Sequence, residues 1–171
     1  MNKFPFPCSS FALAAALLLA AAGAALALDT YGSEAGDYSV SFPSQPQENT
    51  QTTSAYRIVS HAVREDNVIY IVAHGDYTAQ LDPELELNAN IDNYVKELHA
   101  QVLSRIPLAF VRGDRPLLAK QFTYDGDRVA GKGIVVVEGK TSYIAAASAV
   151  KPNNREAAVN AFVSSFKLVP K

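Results

Sequence analysis

The stretch LAKQFTYDGDRVAGKGIVVVEGKTSYIAAASAV, residues 118–150, decides the fold. Three runs in it read as strands, separated by two turn signals. Leu118, Phe122 and Tyr124 share one face of the first run, and Asp125-Gly126 marks a hairpin turn. Residues 128–137 form the second run, which ends in Ile134-Val135-Val136-Val137. Glu138-Gly139-Lys140 then turns the chain into a third, from Thr141 to about Val150. Strands joined by turns this tight must be antiparallel. The many alanines of the third strand predict that another element packs closely over it.

Upstream, Asp37-Tyr38-Ser39-Val40-Ser41-Phe42 alternates strictly, with the aromatic and aliphatic side chains on one face, so it reads as a half-buried strand. Pro43 and Pro46 end it, and the polar residues 44–53 read as a loop. Residues 54–64 and 67–76 form a strand pair around a Glu65-Asp66 turn. That register sets Val63 opposite Val68, His61 opposite Tyr70 and Val59 opposite Val72. The other face carries Tyr56, Ile58, Ala62, Ile69, Ile71 and Ala73. With both faces apolar, the pair is expected to be central and covered on both sides.

From Asn88 to Arg105 the period changes. Ile91, Tyr94, Val95, Leu98, Val102 and Ile106 recur every three or four positions, while Asp92, Asn93, Lys96, Glu97 and Gln101 face away. This predicts an amphipathic helix of about five turns, capped by Asn88 or Asn90 and followed by Pro107. A second helix opens at Lys151-Pro152-Asn153-Asn154 and buries Ala158, Val159, Phe162, Val163 and Phe166. The chain leaves it near Phe166 and ends extended. The expected fold is therefore α+β: an antiparallel sheet of about six to seven strands flanked by two main helices.

The composition needs dividing before it is used. Hydrophobic residues make up 49% of the 171 residues, and 15 Lys+Arg stand against 17 Asp+Glu for a net charge of −2. Residues 11–28, FALAAALLLAAAGAALAL, contain no polar side chain and follow a head whose only charged side chain is Lys3. A positive head, an apolar middle and the small-x-small end Ala25-Leu26-Ala27 predict a secretory signal peptide over 1–27, cleaved after Ala27. The rival reading is a retained anchor that would bring membrane contact. It is weakened because the stretch is mostly Ala, which partitions poorly into lipid. Residues 28–36 read as a flexible lead-in, and 37–169 as one domain.

Removing 1–27 takes away Lys3, Cys8 and Met1, leaving 144 residues with 14 basic and 17 acidic side chains, a net charge of −3. Thiolate catalysis, disulfides and zinc–thiolate sites are thereby excluded from the mature chain. The low charge argues against a nucleic-acid partner, which would need a cationic surface.

The opening DYSVSFPSQP at 37–46 and the closing AFVSSFKLV at 161–169 carry a resemblance. So do the strand pair 56–73, the helix 88–105 and the hairpin around Tyr124-Asp125-Gly126-Asp127-Arg128, which sit between them in order. The arrangement over most of 37–169 resembles the PsbP-like superfamily, which includes the Ran-binding Mog proteins and DcrB-type exported bacterial proteins. The resemblance implies a layered α+β sandwich and an accessory or binding role. It transfers no catalytic residue, and fold alone does not give function.

Several residues invite a chemical reading. His61 and His74 share a face, but the register above sets them about four positions apart, too far for one ion. His99 sits at the boundary of its helix, facing solvent. Asp82-Pro83-Glu84-Leu85-Glu86 has the oxygen ligands calcium prefers, yet it lacks the loop spacing and reads better as an acidic helix start. Gly131-Lys132-Gly133 runs from strand into strand, so it does not cradle phosphate at a helix start. Arg112-Gly113-Asp114 matches an adhesive tripeptide but reads as a turn.

Arg105, Arg112, Arg115, Lys120, Arg128 and Lys132 would suit an anionic ligand or lipid headgroup if they shared a surface. No nucleophile elbow occurs. The sequence thus assigns no catalytic, cofactor-binding or metal-binding residue. The function expected is that of an exported, periplasmic, non-enzymatic accessory or binding protein with a protein partner in the cell envelope. The alternatives are a small-ligand or cation carrier, or a hydrolase without a recognisable motif.

Overall fold

The computed structural model describes residues 29–33 and 36–170. The predicted signal peptide lies outside the described residues.

The 118–150 stretch forms three long antiparallel strands, β8 (Arg115–Gly126), β9 (Val129–Glu138) and β10 (Thr141–Val150). Asp127-Arg128 and Gly139-Lys140 make the two turns. β10 also pairs with β5 (Val68–Tyr77), which continues through β4 (Tyr56–Glu65) to β3 (Gln47–Thr52). On the other side, β8 pairs with β6 (Ala100–Pro107) and, farther along the same edge, with β7 (Phe110–Arg112). This makes one eight-stranded sheet. A second sheet of three strands joins β1 (Asp29–Ser33), β2 (Tyr38–Phe42) and the carboxy-terminal β11 (Lys167–Leu168).

The expected α+β class, with six to seven strands flanked by two main helices, is overturned. The chain is a β-rich sandwich of eleven strands, and α1 (Pro83–Glu97) and α2 (Glu156–Ser165) are its only helices among the described residues. Three segments account for most of the difference. The polar stretch 44–53 supplies β3, an edge strand with no apolar side chain, held to β4 by backbone pairing and by the side-chain contacts of Ser60 with the Asn49 carbonyl and of His61 with Glu48. The lead-in 28–36 supplies β1, paired to β2. The second half of the expected helix 88–105 is β6.

α1 therefore starts earlier and stops sooner than its periodicity suggests. Asp82 caps it, its side chain accepting from the N–H groups of Glu84 and Leu85 at 3.1 Å each, with Pro83 in the first turn. His99, at φ 51°, takes the left-handed conformation that ends it.

The large sheet is covered on both faces. Ile91, Tyr94 and Val95 of α1 pack on Ile58, Ile71, Val135 and Ile144 on one side. On the other, Val159, Phe162 and Val163 of α2 and Tyr38, Val40 and Phe42 of β2 pack on Tyr70, Val72, Val136 and Ala145. Ala145, Ala147 and Ala149 of β10 lie on the α2 side of the sheet, as their small size predicts, while Ala146 faces α1. β11 returns to pair with β2, so the two ends of the described chain close one layer together.

Candidate functional site

A set of polar side chains, most of them buried, converges where β2, the β7–β8 turn and Pro170 meet the end of the large sheet. β4 and β5 turn at Asp66-Asn67, not Glu65-Asp66. Both turn residues have positive φ (49° and 61°), as a two-residue hairpin requires. The register thus shifts by two, setting His61 opposite Val72 and His74 opposite Val59. The histidines come into adjacent rows of one face instead of lying four positions apart. Both are buried, at 2% and 1% exposure. His99 is exposed at the α1–β6 junction.

Tyr38 of β2 lies over both histidines. Its hydroxyl is 2.7 Å from His61 Nδ1, and His61 Nε2 is 3.1 Å from Glu48 Oε2 of β3. A carboxylate only accepts, so Nε2 carries the proton and donates to Glu48. Nδ1 then accepts from the Tyr38 hydroxyl. The Tyr31 ring lies 4.8 Å from that of His61, and Tyr38 is 5.9 Å from His74. His74 Nε2 is 3.9 Å from Asp76 Oδ2, and neither of its ring nitrogens makes a hydrogen bond.

Beside them Arg112 is buried against Tyr143, its guanidinium 5.6 Å from the ring centroid and donating to the hydroxyl at 2.9 Å. Arg112 Nη1 also lies 2.7 Å from Glu138 Oε2, while Arg115 pairs with the other oxygen of the same carboxylate.

A hydroxyl–imidazole–carboxylate chain is the arrangement that activates a nucleophile. Here it is turned inward. Tyr38 has no exposed surface, and burial holds its phenol well above the ordinary value. The chain ties β2 to β4 and β3, which fastens the small sheet to the large one. Among the described residues, no three His, Cys, Asp or Glu side chains gather as a metal site.

The remaining sequence candidates disperse. Asp82–Glu86 is the capped start of α1. Gly131-Lys132-Gly133 lies inside β9, where Gly131 and Gly133 face Tyr124 and Phe122 of β8. Arg112-Gly113-Asp114 forms the β7–β8 turn, with Gly113 at φ 58°. Because Arg112 points inward, the adhesive tripeptide is not displayed. Together with Arg115 and Pro170 it lines a surface groove of about 600 Å³.

The basic residues do not form one patch. Arg105 pairs with Asp92, Lys120 with Glu84, and Arg112 and Arg115 with Glu138, while Lys132 donates to Asn160 at 3.1 Å. The Lys120 ammonium holds the Glu84 carboxyl below its usual value. Tyr38, Glu48, Glu138 and Tyr143 are the members that sequence reasoning did not single out. Their only prior signal is Glu138, an acid in step with the buried side chains Ile134 and Val136.

The two histidines make stability depend on pH. Burial lowers the affinity of both for protons; Glu48 opposes this at His61, and at His74 Asp76 and, less, Asp37 oppose it while His61 and Arg57 add to it. Both are neutral in the folded state at neutral pH. As pH falls through about 6.5, the unfolded chain takes up protons that the folded chain refuses. Stability is therefore complete above that pH and falls below it, until the folded histidines titrate too. Each histidine contributes at most about 1.4 kcal/mol per pH unit. Urea denaturation between pH 7.5 and 5.5 is expected to show this decline, with a shallower slope for His74→Phe. A flat profile for the unsubstituted protein would refute the buried, neutral assignment.

Among the described residues, no helix is long and apolar enough to cross a membrane. Comparison of the sequence with protein-family models and with characterised proteins finds no match.

Proposed function

We propose that this is an exported, non-enzymatic accessory or binding protein of the cell envelope, the role that the resemblance to the PsbP-like superfamily also implies. The observation that supports the reading is that the buried gathering of titratable groups around Tyr38 and His61 is spent on holding two sheets together. An active site of the usual kind needs at least two titratable groups converging on an accessible pocket. Here Tyr38, His61, His74 and Arg112 are each at most 4% exposed. The leader-like segment 1–27 supports export.

The test is to express the full chain with a carboxy-terminal tag, fractionate the cells and crosslink before purification. The expected result is a protein in the envelope or medium that lacks about 27 residues and gives a reproducible crosslinked partner. A cytoplasmic product with an intact amino terminus would overturn the export. No crosslinked partner in any fraction would overturn the binding role.

A further inference from the structure

The two edges of the large sheet are built differently. β6 carries features that keep a further strand away. Leu108 N–H donates to the Ala119 carbonyl at 3.0 Å, so by alternation Pro107 turns its nitrogen, which has no proton, to the open side. A bulge also breaks the register of β6 between Val102 and Ser104. β3 has neither. Its register with β4 runs unbroken from Gln47↔Ala62 to Thr52↔Arg57, and its sequence QENTQT contains no proline and no lysine. An edge of that kind is a template for another strand.

The backbone groups that β3 offers follow from its pairing. Thr53 N–H donates to the Tyr56 carbonyl at 2.9 Å, in step with the β3–β4 register. By alternation Gln47, Asn49 and Gln51 bond to β4, while Glu48, Thr50 and Thr52 turn their N–H and C=O groups outward. Pro46, the next outward position, has no N–H and ends the row. Every residue of β3 except Gln51 is exposed, so among the described residues no other element covers this edge.

The side chains indicate which strand fits. A sheet edge selects a foreign peptide through pockets for its alternate side chains, and β3 has no apolar side chain with which to line one. Its own sequence matches it on both faces. In an antiparallel pair, outward residues must face outward residues. The register that uses all three sets Thr50 opposite Thr50 of a second copy, Glu48 opposite its Thr52 and Asn49 opposite its Gln51. Threonine opposite threonine is a favourable cross-strand pair. Glu48, the one charged residue of β3, meets no like charge there. Its carboxylate is already bonded to His61 Nε2 at 3.1 Å and to Thr50 Oγ1 at 3.5 Å.

We propose that β3 pairs with β3 of a second copy, antiparallel and centred on Thr50. The two large sheets then become one continuous sheet, joined by about six backbone hydrogen bonds. This pairing goes beyond the accessory role and is independent of export and of any envelope partner.

The test is sedimentation equilibrium of the protein as recovered from the expressing cells. Its average mass should rise from monomer toward dimer between about 1 µM and 1 mM. Thr50→Pro removes an outward N–H and should weaken association about tenfold or more, with an unchanged circular dichroism spectrum. The register has a test of its own, because Thr50 faces itself. Thr50→Lys and Thr50→Glu should each associate several-fold more weakly, and their equimolar mixture should recover at least the association of the unsubstituted protein. A protein that stays monomeric to about 1 mM would overturn the proposal. So would a dimer indifferent to Thr50→Pro, or charged variants that associate no better mixed than apart.

Discussion

Gly131→Val is expected to destabilise the protein by at least about 3 kcal/mol, lowering Tm by roughly 10 °C or more. A Cβ at this position would stand 2.2 Å from the Ala147 carbonyl oxygen and 2.4 Å from the Tyr124 hydroxyl. The first is backbone of the central strand β10 and cannot swing aside. Tyr124 lies across from Gly131 and Phe122 across from Gly133. The two rings stack with centroids 5.7 Å apart, and Tyr94 of α1 meets both edge-on. The glycines leave room for the aromatics to lie against the strand, and the aromatics form the bed of α1.

The Tyr124 hydroxyl is 2.7 Å from Ser148 Oγ, so displacing it also breaks a buried polar contact. Thermal denaturation followed by circular dichroism measures the effect. Gly133→Ala should cost less, because its nearest obstacles are side chains, Phe122 at 2.5 Å and Ala146 at 2.9 Å. If Gly131→Val melted like the unsubstituted protein, the close approach of Tyr124 to β9 would be wrong.

How much of this was legible in the sequence differs by element. β8, β9 and β10 announce themselves because alternation and turn residues agree. The β4–β5 pair was legible as to faces but not register. A shift of two residues keeps every side chain on its face, so hydrophobic pattern cannot detect it. Only the positive φ angles at Asp66 and Asn67 decide.

The helix over 88–105 failed for a related reason. Val102 and Ile106 continue the spacing of Ile91, Tyr94, Val95 and Leu98, and nothing before Pro107 breaks it. Pairing with β8 draws residues 100–107 into the sheet, a tertiary preference that outweighs a local period. β3 was illegible because an edge strand held by backbone bonds needs no apolar pattern. These segments are what made an α+β protein in expectation a β-rich sandwich in fact. The polar cluster was hidden for another reason: its members come from β2, β3, β4, β5, β7, β9 and β10 and meet only once the sheets are stacked.

Arg112→Met should cost about 3 kcal/mol or more in urea denaturation at neutral pH, since it leaves the Glu138 carboxylate, 13% exposed, without its buried partner. It also removes the donor to the Tyr143 hydroxyl. The comparison that isolates burial is Arg115→Ala. Arg115 touches the same carboxylate but is 58% exposed, so its loss should cost less than about 1 kcal/mol. Two arginines on one acid thus predict very different effects.

Adding Glu138→Gln to Arg112→Met should recover part of the loss, because the buried charge that lost its partner is then gone. Arg112→Lys should not restore stability, since an ammonium cannot both engage Glu138 and reach the Tyr143 hydroxyl in the planar geometry of a guanidinium. Equal costs for Arg112→Met and Arg115→Ala would mean that water reaches both guanidinium groups alike. The groove between Gly113 and Pro170 would then extend inward to Glu138, and the cluster would be open to solvent instead of sealed beneath the β7–β8 turn.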